Sequence, residues 1–285
     1  MLMTMRWLER HHYKHTLLVV LTIAIVGGAL SAFLALRPDD AAAPTVPLAK
    51  TDNPQPPEPA KITLELPGVA ALTALSQDYD DPSSLWVVVS KDHPLSRSDY
   101  RPHDLAIPPS SVTTNAAKSS DEQSLRETIF EPTVSLFAAA KSAGYDLMIA
   151  SGFRSYELQT MYFDNYSRTS GEEAANKYSA RPGQSEHQTG IAFDISLTSR
   201  ECYLETCFGD TAAGQWLAKH AHDYGFTLRY PADKTEITKY QYEPWHFRYV
   251  GVELAKALRD SGLTLDEAYP YLQSTLKQLR DQKRI

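Results

Sequence analysis

The stretch ARPGQSEHQTGIAFDIS (180–196) carries a histidine and an aspartate, His187 and Asp194, seven residues apart. An imidazole nitrogen and a carboxylate oxygen placed this way indicate two ligands of one metal ion. A third candidate ligand, His246, lies in YEPWHFRYVG, with Glu243 three residues before it. Two imidazoles and one carboxylate leave a fourth position open for water, which is typical of catalytic rather than structural zinc. Glu243 can then act as the base that takes the proton of that water.

The segment around His246 has the alternation of a β-strand. Trp245, Phe247 and Tyr249 fall on one face, and His246 and Arg248 fall on the other, because successive side chains of a strand point to opposite faces. The imidazole is therefore expected to point away from the aromatic side chains.

The hydrophobic pattern predicts the elements that position these residues. Apolar runs predict strands in LWVVVS, which begins at Leu85, and in YDLMIAS, IAFDIS and FTLRYP. Helical spacing predicts a helix over 121–143, kinked or split at Pro132, and Ser155 is placed to cap the next helix. Strands and helices are interspersed, with hairpin-like spacing late in the chain. The predicted fold class is therefore α+β, with a mostly antiparallel central sheet flanked by helices.

Residues 16–36 form a run of 21 residues without a charge. A helix of that length spans about 30 Å, the thickness of the hydrocarbon core of a bilayer. Arg6, Arg10 and Lys14 precede the run and favour a cytoplasmic N-terminus. We expect a single-pass transmembrane helix that anchors an extracytoplasmic body in the cell membrane. A cleaved signal peptide, followed by secretion, is the alternative.

The chain is predicted to divide into five parts. Residues 1–15 are the cytoplasmic N-terminus, 16–36 the transmembrane anchor, 37–60 a linker rich in proline and alanine, 61–84 an irregular approach segment, and 85–285 a single catalytic domain. The linker has almost no large apolar side chains to bury, so it is expected to stay extended.

The charge of the chain argues against a nucleic-acid partner. The net charge is −7 overall, and residues 1–37 carry four basic side chains against one acidic one. The remainder is therefore strongly acidic, whereas phosphate backbones are bound by stripes of lysine and arginine.

Cys202 and Cys207, in CYLETC, are the only cysteines of the chain. In an exported protein they are expected to form a disulfide that closes a short loop. A two-cysteine zinc site is the alternative.

Four segments carry a family resemblance: SGFRSYELQ, YSARPGQSEHQTGIAFDIS, LRYP and YEPWHFRYVG. In this order they resemble the VanY-type D-alanyl-D-alanine carboxypeptidases, zinc peptidases that share a fold with VanX dipeptidases and hedgehog domains. VVVSKDHPLSRSDY resembles the N-terminal strand and loop of that family, so the similarity spans roughly residues 85–270. The resemblance implies that His187, Asp194 and His246 bind one zinc ion per chain and that Glu243 is the general base.

The resemblance also implies a substrate pocket. Arg154 matches the arginine of the family motif SG(Y/F)RS, and Gln159 and Ser185 match positions that line the pocket; Gln184 departs from a histidine found in many relatives. A guanidinium at Arg154 suits either a developing oxyanion or the free carboxylate of a substrate. Trp245 is expected to supply an apolar wall.

The sequence therefore predicts a membrane-anchored zinc carboxypeptidase that removes the C-terminal D-alanine from peptidoglycan stem peptides. One alternative is an L,D-carboxypeptidase of the same family, which acts on tetrapeptide stems. The other is a non-catalytic zinc fold that binds wall or protein partners. Glu243 disfavours this last alternative, because a binding module needs no base beside its metal.

Overall fold

The computed structural model describes residues 78–281, with only the backbone at 275, 276 and 278–281. The predicted cytoplasmic segment, membrane anchor and linker, and most of the approach segment, lie outside the described residues. Within the described part, no helix combines the length and the apolar character needed to cross a membrane.

Five strands of the described chain form one sheet, in the order β2-β4-β5-β7-β6, and β1 and β3 form a separate antiparallel pair. The strands are β1 Leu105–Ala106, β2 Thr113–Thr114, β3 Leu125–Arg126, β4 Leu147–Ser151, β5 Ala192–Leu197, β6 Phe226–Leu228 and β7 His246–Tyr249. β2 pairs with β4 in parallel, whereas the pairs β4–β5, β5–β7 and β6–β7 are antiparallel. The sheet is thus mixed, which corrects the mostly antiparallel sheet predicted from the sequence. The parallel pair is possible because a crossover with the helices Ser120–Gln123 and Phe130–Ser142 and the short strand β3 separates β2 from β4.

Eight α-helices surround this sheet in the described chain: α1 Ser120–Gln123, α2 Phe130–Ser142, α3 Tyr156–Ser170, α4 Glu172–Tyr178, α5 Ala212–His220, α6 Thr235–Thr238, α7 Val252–Ser261 and α8 Leu265–Asp281. The predicted helix at 121–143 is split by β3 and a 3-10 turn, and Pro132 falls in the first turn of α2, where its missing N–H costs no helical hydrogen bond. Ser155 caps α3 by accepting from the N–H of Leu158, as the sequence predicts.

The segment LWVVVS is buried but forms no strand, although it lies within the described residues. Instead of a neighbouring strand, arginine side chains satisfy its carbonyl groups. Arg248 Nη2 donates to the carbonyls of Leu85 (3.0 Å) and Val87 (2.7 Å), and Arg229 Nη2 donates to that of Val89 (3.3 Å). The strand prediction for this segment is therefore wrong, because a buried backbone carbonyl needs a hydrogen-bond donor of any kind and not a neighbouring strand in particular.

The hydrophobic core lies between the sheet and the helices α2, α5, α7 and α8, whose apolar faces form one buried cluster with it. Phe193 and Phe247 belong to this cluster and are paired across β5 and β7. The next pair in the same register is Asp194 with His246. Since side chains alternate along a strand, the packing of the two phenylalanines turns the carboxylate and the imidazole to the other face.

Candidate metal centre

Three buried side chains converge on the face of β5 and β7 that points away from the core. Asp194 and His246 are strand partners, and His187 comes from a short 3-10 helix, Glu186–Thr189, just before β5. His187 Nε2 lies 3.4 Å from Asp194 Oδ2, and His246 Nδ1 lies 3.4 Å from Asp194 Oδ1. One ligand atom of each residue lies within 4.8 Å of the others. The structure thus brings the three predicted ligands together.

Gly190 explains how the chain can pass directly from His187 into β5. It ends the 3-10 helix with a φ of +69°, a conformation that favours glycine. A Cβ at this position would lie 2.9 Å from Arg126 Cγ and from Leu105 Cδ2. Glycine is therefore needed here both for its conformation and for its small size.

A backbone carbonyl orients His187. His187 Nδ1 lies 2.7 Å from the carbonyl oxygen of Gly152. A carbonyl can only accept, so Nδ1 carries the proton and Nε2 presents its lone pair toward Asp194 and His246.

A buried glutamate faces the other histidine. Glu186 Oε2 lies 3.5 Å from His246 Nε2, while His246 Nδ1 faces Asp194. Glu186 is fully buried, and its Oε1 accepts hydrogen bonds from Arg229 Nε (2.9 Å) and Arg248 Nη1 (2.8 Å). Outer carboxylates of this kind fix the tautomer of a metal-binding histidine and raise its basicity.

Charges behind the centre stabilise Glu186 as an anion. Burial alone would raise the pKa of Glu186, but the guanidinium groups of Arg229 and Arg248 outweigh it and hold that pKa well below its usual range. Arg229 also forms a two-pronged ion pair with Asp266 on α8, at 2.5 and 3.2 Å. We call these four residues, Glu186, Arg229, Arg248 and Asp266, the charge network.

The charge network was not predicted from the sequence, although the sequence carries two signals of it. Glu186 directly precedes His187, and Arg229 and Arg248 are charged residues within apolar segments, LRYP and HFRYV. A buried charge needs a partner of opposite sign, so such arginines indicate a buried carboxylate.

The chemistry of the donor set fits a divalent cation. The carboxylates of Asp194, Glu186 and Glu243 surround His246. Burial lowers the pKa of this imidazole, but the three carboxylates outweigh burial and raise the pKa to about 9. The three carboxylates therefore stabilise positive charge in the space between them, which a bound cation would supply. In a tetrahedral arrangement, two atoms each about 2.1 Å from a zinc ion lie about 3.4 Å apart, which matches the two measured distances to Asp194.

Glu243 lies beside this cluster. Its Oε2 is 3.6 Å from His246 Nδ1, and the side chain is buried. Burial raises the pKa of Glu243, and nearby Asp194 raises it further, to about 7 against the opposing effect of His246 and Arg154. A carboxylate with a pKa near neutrality can both take up and release a proton at physiological pH.

Arg154 reaches the same cluster from the loop after β4. Its Nη1 donates to Gln159 Oε1 (2.9 Å) and its Nη2 to Ser151 Oγ (3.3 Å), while Nη2 lies 3.8 Å from Asp194 Oδ2. Arg154 Nε is buried and has no hydrogen-bond partner within residues 78–281. Gln159 and Ser151 therefore fix the orientation of the guanidinium beside the cluster.

Gln159 was predicted to line the substrate pocket, but the structure places it behind Arg154. Its side chain is fully buried, and its amide nitrogen donates to the carbonyl of Ala180 (2.6 Å) and to Ser179 Oγ (3.3 Å). The amide donors are thus already engaged by the protein, and Gln159 serves to orient the guanidinium.

A cavity of about 240 Å³ opens onto the cluster. Ser185 and Trp245 line it, as the sequence predicts, together with Arg154 and Glu243. Leu204, from the loop that the Cys202–Cys207 disulfide closes, also lines it. The cavity thus combines a charged floor with apolar walls, an arrangement suited to a small peptide end.

The structure combines an α+β fold with two buried histidines, an aspartate and an adjacent glutamate. This combination is typical of one class of proteins, the mononuclear zinc peptidases. The comparison with known proteins narrows this class. The family model for VanY, D-alanyl-D-alanine carboxypeptidase, matches residues 122–252. The bifunctional D-Ala-D-Ala dipeptidase and carboxypeptidase VanXYC of Enterococcus gallinarum is 32% identical over 197 residues, which cover 67% of this chain and 96% of that protein. The chain therefore belongs to the VanY carboxypeptidase family.

Solved structures of the family are similar in fold. The LdcB LD-carboxypeptidase superimposes with a TM-score of 0.62 at 42% identity, covering 66% of this chain and 87% of that one. A VanY D,D-pentapeptidase variant from a VanB-type resistance cassette, in complex with Zn(II), superimposes with a TM-score of 0.50 at 30% identity, covering 66% of this chain and 98% of that one.

Proposed function

We propose that the protein is a zinc-dependent carboxypeptidase that removes the C-terminal D-alanine from peptidoglycan stem peptides. The observation that carries this proposal is the buried set of His187, Asp194 and His246 with Glu243 beside it, at the floor of a cavity that Arg154 also lines. Membership of the VanY family and the Zn(II) in a related structure support it.

The three ligands would hold one zinc ion, which supplies a Lewis acid that lowers the pKa of a water at its open position. Glu243 is the group that takes the proton of the attacking water. The same carboxyl then protonates the amine of the departing D-alanine, so one residue serves as base and as acid. Burial raises the pKa of Glu243, which favours its role as a proton carrier.

We assign Arg154 to the binding of a negatively charged oxygen of the substrate. Arg154 lines the cavity, and its guanidinium lies 3.8 Å from Asp194 at the metal ligands, so it is placed to donate to an oxygen of the bound peptide. That oxygen is either the developing oxyanion or the C-terminal carboxylate, and a planar guanidinium suits both. Gln159 and Ser151 hold the guanidinium in place, so a substrate does not have to order it.

An L,D-carboxypeptidase is the second candidate function. It is favoured by the similarity to the LdcB LD-carboxypeptidase, whose 42% identity and TM-score of 0.62 exceed the values for the VanY D,D-pentapeptidase variant. Both reactions remove a terminal D-alanine, but the preceding residue differs: it is a second D-alanine in the pentapeptide and an L-configured residue in the tetrapeptide. The D,D activity stays our proposal because the matching family model is that of the D-alanyl-D-alanine carboxypeptidases.

A competition experiment tests both functions. Purified protein loaded with zinc is incubated with equal amounts of a pentapeptide stem ending in D-Ala-D-Ala and of the tetrapeptide stem, and the products are followed by mass spectrometry. Faster loss of one D-alanine from the pentapeptide supports the proposal. Faster consumption of the tetrapeptide would assign the L,D activity instead, and no cleavage of either stem would refute the carboxypeptidase function.

We also propose that residues 16–36 anchor the enzyme in the cell membrane, with the catalytic domain outside the cytoplasm. The support is the uncharged 21-residue run and its basic N-terminal flank. Full-length protein should remain in the membrane fraction after a salt wash. N-terminal sequencing that begins between residues 30 and 45 would show a cleaved signal and a released enzyme.

A further inference from the structure

The loop 200–207, which we call the disulfide loop, contains unusual backbone conformations. Arg200, Cys202 and Leu204 have φ values of +62°, +50° and +52°, and they are three of the four non-glycine residues with positive φ in residues 78–281. The left-handed region is unfavourable for an ordinary L-residue, because its Cβ comes too close to the following carbonyl oxygen. Such costs persist only where the surrounding structure imposes them, and they concentrate at functional sites.

Contacts on one side fix the disulfide loop to the sheet. Tyr203 Oη accepts a hydrogen bond from Asn115 Nδ2 (2.9 Å), and Arg200 Nη2 donates to Asn115 Oδ1 (3.0 Å). Asn115 is itself buried, and its N–H donates to the carbonyl of Ile149 in β4 (2.9 Å). One buried amide thus ties two residues of the disulfide loop to the edge of β4.

The chain that leaves the disulfide loop packs against the segment that carries Glu243. A Cβ at Gly209 would lie 2.2 Å from Tyr242 Oη and 3.1 Å from Pro244 Cβ. Tyr242 and Pro244, which flank Glu243, therefore pack directly against Gly209. The disulfide loop is held between β4 on one side and the segment of the base on the other.

The Cys202–Cys207 disulfide closes the loop covalently, and it uses every cysteine of the chain. Closing a loop this short stabilises the fold only modestly, because it removes little conformational entropy from the unfolded chain. Its main structural effect is to restrict the conformations of the residues inside it, of which Leu204 is one.

Leu204 is the residue on which these constraints bear. It is only partly buried, it lies outside the main core, and it lines the cavity beside the metal ligands. Burial of the Leu204 side chain in the main core therefore does not offset its unfavourable backbone conformation. What it does achieve is an apolar wall at a fixed position in the cavity.

We propose that the disulfide loop is a preformed wall of the substrate pocket and that Leu204 limits the size of the side chain accepted at one of the two C-terminal residues of the peptide. The inference rests on the proposed function for the class of ligand. A fixed leucine leaves room for the methyl group of alanine and excludes larger side chains, since a pocket distinguishes neighbouring apolar sizes by steric fit.

The test measures binding without turnover. Zinc-loaded Glu243→Gln protein is titrated by calorimetry with stem peptides ending in D-Ala-D-Ala and with peptides that carry D-leucine at the last or at the penultimate position. With the natural loop, both D-leucine peptides should bind more weakly than the alanine peptide. Adding Leu204→Ala should reduce that difference by about tenfold or more for one of the two positions. Leu263→Ala, a partly buried leucine that lines a different cavity, is the matched control and should leave it unchanged.

A second variant tests the contribution of the disulfide separately from that of the Leu204 side chain. Cys202→Ala with Cys207→Ala should weaken binding of the alanine peptide several-fold and reduce size selection, while one zinc per chain is retained. A selectivity that stays within twofold in both the Leu204→Ala and the double cysteine variant would overturn this inference alone. If no peptide binds to the protein with the natural loop, the proposed function fails, and the inference fails with it.

Discussion

The two histidines of the metal centre are held in different ways. On one side, the carbonyl of Gly152 fixes His187 through a single hydrogen bond. On the other side, His246 faces the carboxylate of Glu186, which is part of a network of four charged residues that ends at Asp266 on α8. The first arrangement depends on local backbone geometry, and the second depends on buried charges contributed by distant parts of the chain.

This difference has a chemical consequence for the two imidazoles. A carbonyl is a neutral acceptor, whereas an anionic carboxylate draws more strongly on the N–H of the ring and so raises the basicity of the opposite nitrogen. His246 should therefore be the stronger donor to a metal, provided that the charge network is intact. The following variants test that comparison.

Removal of either ligand should have the largest effect. His187→Ala and His246→Ala should each lose bound zinc and activity together, because two remaining ligands do not hold the ion. Zinc content by atomic absorption and peptide cleavage are measured on the same samples. Stoichiometric zinc in the double variant would show that the ion binds elsewhere.

Glu243→Gln should separate catalysis from metal binding. The amide keeps the shape of the side chain but cannot carry the proton, so activity should fall by at least 10²- to 10⁴-fold, while zinc affinity should not decrease. The readouts are the turnover rate and zinc content. Residual activity within about tenfold of the natural protein would mean that another group is the base.

Glu186→Gln should weaken zinc binding by about 10- to 100-fold, since it removes the anion that faces His246. It should also destabilise the fold by about 3–5 kcal/mol, because Arg229 and Arg248 then lose their shared buried counter-charge. Zinc affinity is measured by competition with a chelator, and stability by denaturant unfolding. Glu173→Gln, at an exposed position on α4, is the control and should change neither.

Gly152→Ala tests the backbone contact that orients His187. A Cβ at this position would lie 2.4 Å from the carbonyl oxygen of Ser124, so the backbone that holds His187 must shift. We expect zinc affinity to fall by about tenfold, without the loss of charge balance that Glu186→Gln causes. A loss greater than that of Glu186→Gln would reverse the ranking of the two sides.

Asp266→Asn should have the smallest effect on the metal. Arg229 keeps its bond to Glu186 and loses only the outer carboxylate, so zinc affinity should change by no more than about threefold. Stability should still decrease by about 1–3 kcal/mol, because the amide leaves part of the buried guanidinium charge uncompensated. A loss of zinc affinity as large as that of Glu186→Gln would show that the whole network acts on His246 as one unit.

The convergence of His187, Asp194 and His246 could be predicted from the sequence because the relevant signals are local. His187 and Asp194 share one short motif, Glu243 and His246 share another, and the alternation in WHFRYVG correctly places His246 on the face opposite Phe247. Strands β4 to β7 and the capped helix after Ser155 also follow from local periodicity.

What was missed depends on contacts between distant residues. β2 has two threonines only, too few to show any period, and its parallel pairing made the sheet mixed. The run LWVVVS has the composition of a strand, but arginine side chains from β7 and from the end of β6 occupy its carbonyls. Gln159 faces Arg154 and not the cavity, a matter of side-chain orientation that spacing cannot determine.

The bonds between Arg248 and the LWVVVS segment bear on the order of folding. Arg248 is 163 residues from Leu85 along the chain, and Asp266 lies further still toward the C-terminus. Native contacts between such distant residues form slowly, because a long loop must close before they contribute any stability. The zinc site should therefore assemble late, once almost the whole domain has been synthesised, and a nascent chain that stops before α8 should bind zinc weakly even though it contains all three ligands.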